Sequence, residues 1–178
     1  LVEKQTPVCL WAHEPEVVEA IERKCENTVY LPGVPLPATL TATNDLSESL
    51  AGVDCVIFAV PSHVARPVLD RIGGFLSHPI PFVSATKGIE ETTLEVMTQV
   101  MQDVLPAHMQ GSLMVLSGPS FASEVCQGKP TALCLAGRDA GAVKIVQSLF
   151  MTSSFRVYAD DDLIGVQLGG SLKNVMAL

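Results

Sequence analysis

The amino-acid sequence predicts an α/β fold, with one open, mostly parallel sheet and helices on both of its faces. Two observations lead to this class. Short apolar runs alternate with stretches of helical spacing along the whole chain, as in successive βαβ units. Some runs, above all residues 53–60, are apolar at nearly every position, which is typical of strands buried on both faces of a sheet.

Local signals place the elements of the first half of the chain. Pro15 falls where the first turn of a helix accepts proline, and Asn44 and Asp45 can cap a short helix. Three prolines between residues 30 and 37 exclude regular structure there. In order, we predict a strand at 8–11, a helix at 15–24, a loop at 30–37, a helix at 45–50, a strand at 53–60, a helix at 64–72 and a strand at 80–85.

The second half follows the same alternation. Val96, Val100 and Val104 recur at helical spacing, and a turn at 117–120 precedes another helix. In order, we predict a helix at 92–105, a strand at 113–116, a helix from about 121, a strand at 131–136, a helix at 140–150, a strand at 155–158 and a helix at 163–178.

Composition excludes several classes of protein. No apolar stretch reaches the roughly 20 residues that span a bilayer. The net charge of −8 disfavours binding to the phosphate backbone of nucleic acids. The five cysteines lack C-x-x-C spacing and mostly lie in apolar runs, so we expect reduced core thiols in a cytoplasmic protein, with no metal site. We expect no targeting peptide within residues 1–5, and we expect the chain to begin partway through a longer protein.

Four polar clusters follow predicted strands, at residues 12–14, 61–63, 86–88 and 117–120. Open α/β sheets bind ligands beyond the carboxyl ends of their strands, so these clusters predict one shared site. Lys87 either faces that site or merely ends a strand. The turn at 117–120 either presents hydroxyl and N–H groups to an oxygen-rich ligand or is an ordinary serine N-cap with proline in the first turn.

Gly169 and Gly170 each destabilise a helix by about 1 kcal/mol relative to alanine. Their presence predicts that a backbone segment or a ligand approaches the helix closely at this point. Lys173 shares their helix face and has apolar neighbours. Partial burial there would lower the pKa of its ammonium group toward a range that suits proton transfer.

Six blocks of the chain together resemble bacterial NAD(P)-dependent glycerol-3-phosphate dehydrogenase. They follow the order of that family and cover essentially the whole chain: LWAHEP at 10–15, YLPGVP at 30–35, VPSH at 60–63, ATKG at 85–88, LSGPSFA at 116–122 and VQLGGSLKNV at 166–175. The resemblance implies a Rossmann-type domain at 1–160 and the start of a helical substrate domain at 161–178. No G-x-G motif occurs, so we expect the Gly-rich loop and the first strand upstream of Leu1.

The implied enzyme is an oxidoreductase that interconverts sn-glycerol 3-phosphate and dihydroxyacetone phosphate with NAD or NADP, and supplies glycerol 3-phosphate for phospholipid synthesis. The resemblance implies site residues of three kinds. These are Lys173 and Lys87 in catalysis, Lys87, Gly118 and Ser120 at the substrate, and His13, Lys87 and Ala122 at the cofactor.

Two other classes stay open at this point. One is another Rossmann dehydrogenase, of the β-hydroxyacid or 6-phosphogluconate type, and the other is a nucleotide-sensing module that would not need Lys173. The oligomeric state is also open, with a homodimer among the options. NAD-selective sites place a carboxylate at the end of the strand that corresponds to 8–11 here. In this chain Ala12 and His13 follow that strand, and Glu14 lies beyond the expected position. We therefore hypothesise that NADPH is accepted at least as well as NADH.

Overall fold

The computed structural model describes residues 1–4 and 6–172, and strands and helices alternate along them. Two 3-10 helices, Val2–Lys4 and Ala107–Ser112, accompany the main elements. In chain order these are β1 Val8–Trp11, α1 Pro15–Lys24, β2 Leu40–Thr43, α2 Leu46–Leu50, β3 Val56–Phe58, α3 Ser62–Gly73, β4 Phe82–Ser84, α4 Met97–Val104, β5 Leu113–Ser117, α5 Ala122–Cys126, β6 Thr131–Gly137, α6 Ala140–Phe150, β7 Phe155–Asp160 and α7 Leu163–Leu172.

The chain forms two compact units. The first comprises Leu1–Val53 and Phe121–Lys129, and its strands β1 and β2 pair in parallel. The second comprises Asp54–Ser120 and Pro130–Leu178, and its sheet has the order β3-β4-β5-β6-β7. Only the β5–β6 pair of this larger sheet is antiparallel. The predicted α/β class with mostly parallel strands is confirmed, although the strands form two sheets where the sequence predicted one.

Helices pack on both faces of the five-stranded sheet. Successive residues of a strand point to opposite faces. Met114 and Leu116 of β5 belong to an apolar cluster with Val143 and Val146 of α6. Ser117, on the other face of β5, lies against α7. All five residues of β5 are buried, which explains why its sequence is a continuous apolar run ending in one serine.

Three expectations about local structure need correction. The helix predicted at 92–105 begins only at Met97, because residues 90–96 form a turn in which Leu94 has a φ of 61°. The strand predicted at 53–60 is confined to Val56–Phe58. Strand β2 was missed, because its four residues alternate apolar and threonine side chains and become a strand only by pairing with β1.

The cysteines are free thiols, but their predicted place in the core is wrong. Cys9 and Cys126 are exposed, and the other three are half-buried. An apolar run does not reveal which side of a strand faces solvent, and Cys9 lies on the exposed side of β1. Burial raises the pKa of the Cys55 thiol to about 11, so this group stays protonated at neutral pH.

Within the described residues, no helix has both the length and the apolar character that crossing a membrane requires. The same part of the chain holds no group of three or more His, Cys, Asp or Glu side chains arranged for a metal ion.

Asp139 provides a test of local stability, because its carboxylate accepts hydrogen bonds from the N–H groups of Gly141 and Ala142 at 2.9 and 3.1 Å. We expect Asp139→Ala to lower the free energy of unfolding by about 1 kcal/mol, measured by urea denaturation. Asp139→Asn retains an acceptor and should cost much less. Equal losses in the two variants would contradict a capping role.

Candidate active site

Lys87 follows β4, and its side chain reaches the turn that follows the neighbouring strand β5. Its Nζ donates to the carbonyl oxygen of Gly118 at 3.0 Å. It also donates to the carbonyl oxygen and Oγ of Ser120, both at 3.3 Å. Strands β4 and β5 are parallel, so their carboxyl ends lie at the same edge of the sheet. The structure therefore brings together Lys87, Gly118 and Ser120, three of the predicted site residues.

The conformation of the turn depends on Gly118. Its φ is 155°, and a Cβ at this position would lie 2.7 Å from Cδ2 of Leu133 and 3.0 Å from the carbonyl oxygen of Ala132. The N–H of Ser120 donates back to the Gly118 carbonyl at 2.9 Å. The reading of this segment as a serine N-cap is wrong, since Phe121 occupies the N-cap of α5 and has no side-chain capping bond.

Helix α7 lies directly against this edge of the sheet. The N–H of Gly88 donates to Oγ of Ser171 at 3.1 Å. A Cβ on Gly170 would collide with Oγ of Ser117, a buried hydroxyl that has no hydrogen-bond partner among the residues that the structure describes. The close approach predicted at the glycine pair is thus present at Gly170, whereas a Cβ on Gly169 would meet nothing within 4 Å among the described residues. Lys173, the predicted proton-transfer residue, lies outside the described residues.

Gln167 was missed by the sequence analysis, yet it joins α7 to α4. Its side chain is buried, and its Oε1 accepts a hydrogen bond from the N–H of Thr98 at 2.8 Å. Its Nε2 donates to Oγ1 of Thr98 and to the carbonyl of Leu163, both at 2.7 Å. This amide satisfies an N–H in the first turn of α4, where backbone donors lack partners within the helix. The signal that could have identified Gln167 is a polar side chain in a helix that is otherwise mostly apolar.

The other two cofactor candidates, His13 and Ala122, belong to the smaller unit, and both are exposed. His13 follows β1, and its ring centroid lies 6.3 Å from that of Trp11. The adjacent Glu14 accepts a hydrogen bond from the Tyr30 hydroxyl at 2.9 Å. This bond and the carboxylate charge raise the pKa of Tyr30.

The residues around β3 and β4 suit an anionic, oxygen-rich ligand such as a dinucleotide. Helix α3 begins at Ser62 with no side-chain cap and no acidic residue in its first turn, so its first N–H groups can receive phosphate oxygens. Gly88 has a φ of 129°, and a Cβ there would lie 2.7 Å from Oγ of Ser62. Because Gly88 has no side chain, the loop after β4 can lie close to the first turn of α3.

An open, mostly parallel sheet covered by helices on both faces, with its polar groups gathered at the carboxyl ends of the strands, is the architecture of a Rossmann-type domain. The family described as NAD-dependent glycerol-3-phosphate dehydrogenase N-terminus matches residues 1–143. The chain belongs to this family, which confirms the resemblance inferred from the six sequence blocks.

Individual relatives agree with this assignment. The chain is 47% identical over 178 residues to glycerol-3-phosphate dehydrogenase [NAD(P)+] of Geobacter metallireducens, and covers 53% of that protein. It is 41% identical over 178 residues to the protein of the same name from Bacillus pumilus, and covers 52% of it. In both comparisons the whole of this chain is aligned. The chain thus spans about half the length of these relatives.

A crystal structure shows the same likeness in three dimensions. Glycerol-3-phosphate dehydrogenase from Coxiella burnetii superimposes with a TM-score of 0.89 at 34% sequence identity. The superposition covers 99% of this chain and 53% of that one.

The two glycines of α7 offer a matched test of how closely this helix packs. Gly170→Ala should lower the free energy of unfolding by about 1–3 kcal/mol, because the new methyl group meets Ser117. Gly169→Ala should instead be neutral or stabilising by up to about 1 kcal/mol, since alanine is the better helix former. Urea denaturation measures both. If Ser117→Ala fails to recover part of the Gly170→Ala loss, the proposed collision is not its cause.

Proposed function

We propose that this chain is the nicotinamide-binding part of an oxidoreductase that interconverts sn-glycerol 3-phosphate and dihydroxyacetone phosphate, with NAD or NADP as hydride carrier. The observation that carries the proposal is the position of the Lys87 ammonium group, which lies against Gly118 and Ser120 at the carboxyl edge of the sheet. The family and the names of its relatives support the same reaction.

The roles of the chain's own residues follow from their chemistry. When bound, the cofactor supplies the hydride transfer itself. Lys87 would orient the substrate and stabilise negative charge on the oxygen at C2. Backbone groups near Gly118 and the Ser120 hydroxyl would hold the remaining substrate oxygens. Lys173 would donate a proton to the C2 oxygen during reduction and accept it during oxidation.

We assign the cofactor contacts to His13, Lys87 and Ala122. An exposed imidazole at the end of β1 can donate a hydrogen bond to a 2′-phosphate. The nearby Glu14 already accepts a hydrogen bond from Tyr30, which supports His13 as the group that meets the ribose. On this basis the protein accepts NADPH at least as well as NADH.

Residues 1–160 would form the dinucleotide-binding domain, and residues 161–178 would begin the helical substrate domain. The reaction would supply glycerol 3-phosphate for phospholipid synthesis in the cytoplasm, where thiols such as the free cysteines of this chain stay reduced. A homodimer is the simplest symmetric assembly.

Oxidation of NADPH or NADH by dihydroxyacetone phosphate, followed by absorbance in the intact protein that contains this chain, tests the reaction. Lys173→Ala should lower kcat by at least ~10²-fold and leave cofactor affinity nearly unchanged, because only proton transfer is lost. Lys87→Ala should raise KM for dihydroxyacetone phosphate and lower kcat as well. Lys144→Ala, which removes an exposed lysine of α6, is the control. Full activity of the Lys173 variant would remove that residue from the mechanism.

Cofactor choice provides a separate test. His13→Ala should raise KM for NADPH by about tenfold and leave KM for NADH nearly unchanged, because only NADPH carries the 2′-phosphate that the imidazole would contact. The measurement is KM for each cofactor in wild type and variant. A strong preference of the wild-type protein for NADH would refute the hypothesis and assign the ribose contact to Glu14.

A further inference from the structure

We propose that Arg66 and Glu90 are positioning residues, which fix the direction in which the Lys87 side chain points. The inference rests on the proposed role of Lys87 at the substrate. It concerns the segment that carries Lys87 from the end of β4 to the start of α4, defined here as residues 85–96, the Lys87 segment.

Alternate residues of the Lys87 segment contact opposite neighbours. Oγ1 of Thr86 donates to the carbonyl oxygen of Val60 at 2.7 Å. Gly88 lies against Ser62, and Glu90 binds Arg66 of α3. These three contacts all join the segment to the chain that runs from β3 into α3. Lys87, between the first two of them, extends to the turn after β5 instead. Because Thr86, Gly88 and Glu90 are held against the chain between β3 and α3, the backbone that carries Lys87 is restrained, and with it the direction of the lysine side chain.

The Arg66–Glu90 contact is the strongest of the three. Nε of Arg66 donates to Oε1 of Glu90, and Nη2 donates to Oε2, both at 2.8 Å. Glu90 is only 8% exposed. Such a two-pronged contact restrains the carboxylate in orientation as well as in distance. Nη2 of Arg66 also donates to Oε2 of Glu95, at 3.1 Å, so the guanidinium group contacts two carboxylates of the Lys87 segment. Removing Arg66 would leave the buried Glu90 carboxylate poorly solvated, whereas removing Glu90 leaves Arg66 with the weaker contacts to Glu95 and Asp103.

Regular structure does not hold the Lys87 segment in place. β4 has three residues and ends at Ser84, and α4 does not begin until Met97. Between them the chain turns through Leu94, whose positive φ is unfavourable for a leucine. Two backbone hydrogen bonds close the turn, from the N–H of Glu90 to the carbonyl of Glu95 and from the N–H of Leu94 to the carbonyl of Glu90, both at 2.9 Å. Side-chain contacts of Glu90 then orient this turn. Thr93 adds one such contact by donating its hydroxyl proton to Oε2 of Glu90.

The charge of Glu90 is secure at physiological pH. The hydrogen bonds from Arg66 and Thr93 lower the pKa of Glu90 to about 2. A carboxylate whose pKa is lowered by folding stabilises the fold above its unfolded-state pKa, near 4.3, and loses that effect as the pH falls toward 2. The ion pair is therefore complete wherever the enzyme would be assayed.

The test compares the chemical reactivity of Lys87 in wild type and in Glu90→Gln, without substrate. Brief acetylation with acetic anhydride followed by mass spectrometry gives the labelling rate of Lys87 relative to the exposed Lys144 in the same molecule. We expect this ratio to rise about threefold or more in Glu90→Gln, because the ammonium group would leave its acceptors more often. With dihydroxyacetone phosphate, kcat/KM should fall by ~10- to 100-fold, as expected for a displaced catalytic group.

Asp103→Asn is the matched control. Asp103 also contacts Nη2 of Arg66, at 3.4 Å, but it lies on α4 and its side chain is 52% exposed. Its removal should leave the labelling ratio and kcat/KM near wild type. Arg66→Lys keeps the charge but cannot reproduce both hydrogen bonds, so it should give an intermediate ratio. It also replaces Glu90→Gln as the test if that variant does not fold.

An unchanged Lys87 labelling ratio in a folded Glu90→Gln or Arg66→Lys protein would overturn the proposal. So would an equal rise in Asp103→Asn, because the effect would then follow from charge near Arg66 and not from the contact with the Lys87 segment. If the wild-type protein fails to reduce dihydroxyacetone phosphate while the labelling ratio changes as expected, the positioning role stands and the proposed reaction is the part that fails.

Discussion

The ammonium group of Lys87 lies at a half-buried position, and the edge of the sheet at β4 and β5 supplies the hydrogen-bond acceptors that it needs there. A charged nitrogen removed from water is costly unless it is hydrogen-bonded. The acceptors come from Gly118 and Ser120, on the turn that follows the adjacent strand. This arrangement needs β4 and β5 to run in parallel, so that both strands end at the same edge of the sheet.

Glycine makes this edge possible at three points. Gly88, Gly118 and Gly170 stand where a Cβ would collide with Ser62, Leu133 and Ser117 respectively. Each glycine allows two backbone segments to approach more closely than a side chain permits. The loops after β3, β4 and β5 and the helix α7 thereby pack closely around Lys87 and Ser120. These two residues follow β4 and β5 and carry the polar groups.

Helix α7 links this edge to the rest of the larger unit. Ser171 contacts the backbone beside Lys87, and Gln167 holds the first turn of α4. The Lys87 segment ends where α4 begins, so α7 contacts it near both of its ends. A buried amide with satisfied hydrogen bonds specifies one orientation of a helix more sharply than apolar contacts do, because its bonds are directional. This explains a glutamine at position 167 in a helix that is otherwise mostly apolar.

The sequence by itself determined the α/β class, the family and the elements that have strong local signals. Helices α1 and α6 were predicted with the bounds that the structure shows. For α1 the signal was a proline in the first turn, which acts within a few residues. The sequence also identified Lys87, Gly118 and Ser120 as candidates. Only the tertiary structure decided that Lys87 meets a turn 31 residues away, that β2 is a strand, that α4 begins at Met97 and that Gly170 rather than Gly169 is closely packed. Periodicity and capping report on the nearest turn of the chain, whereas these four features depend on which distant segments pack together.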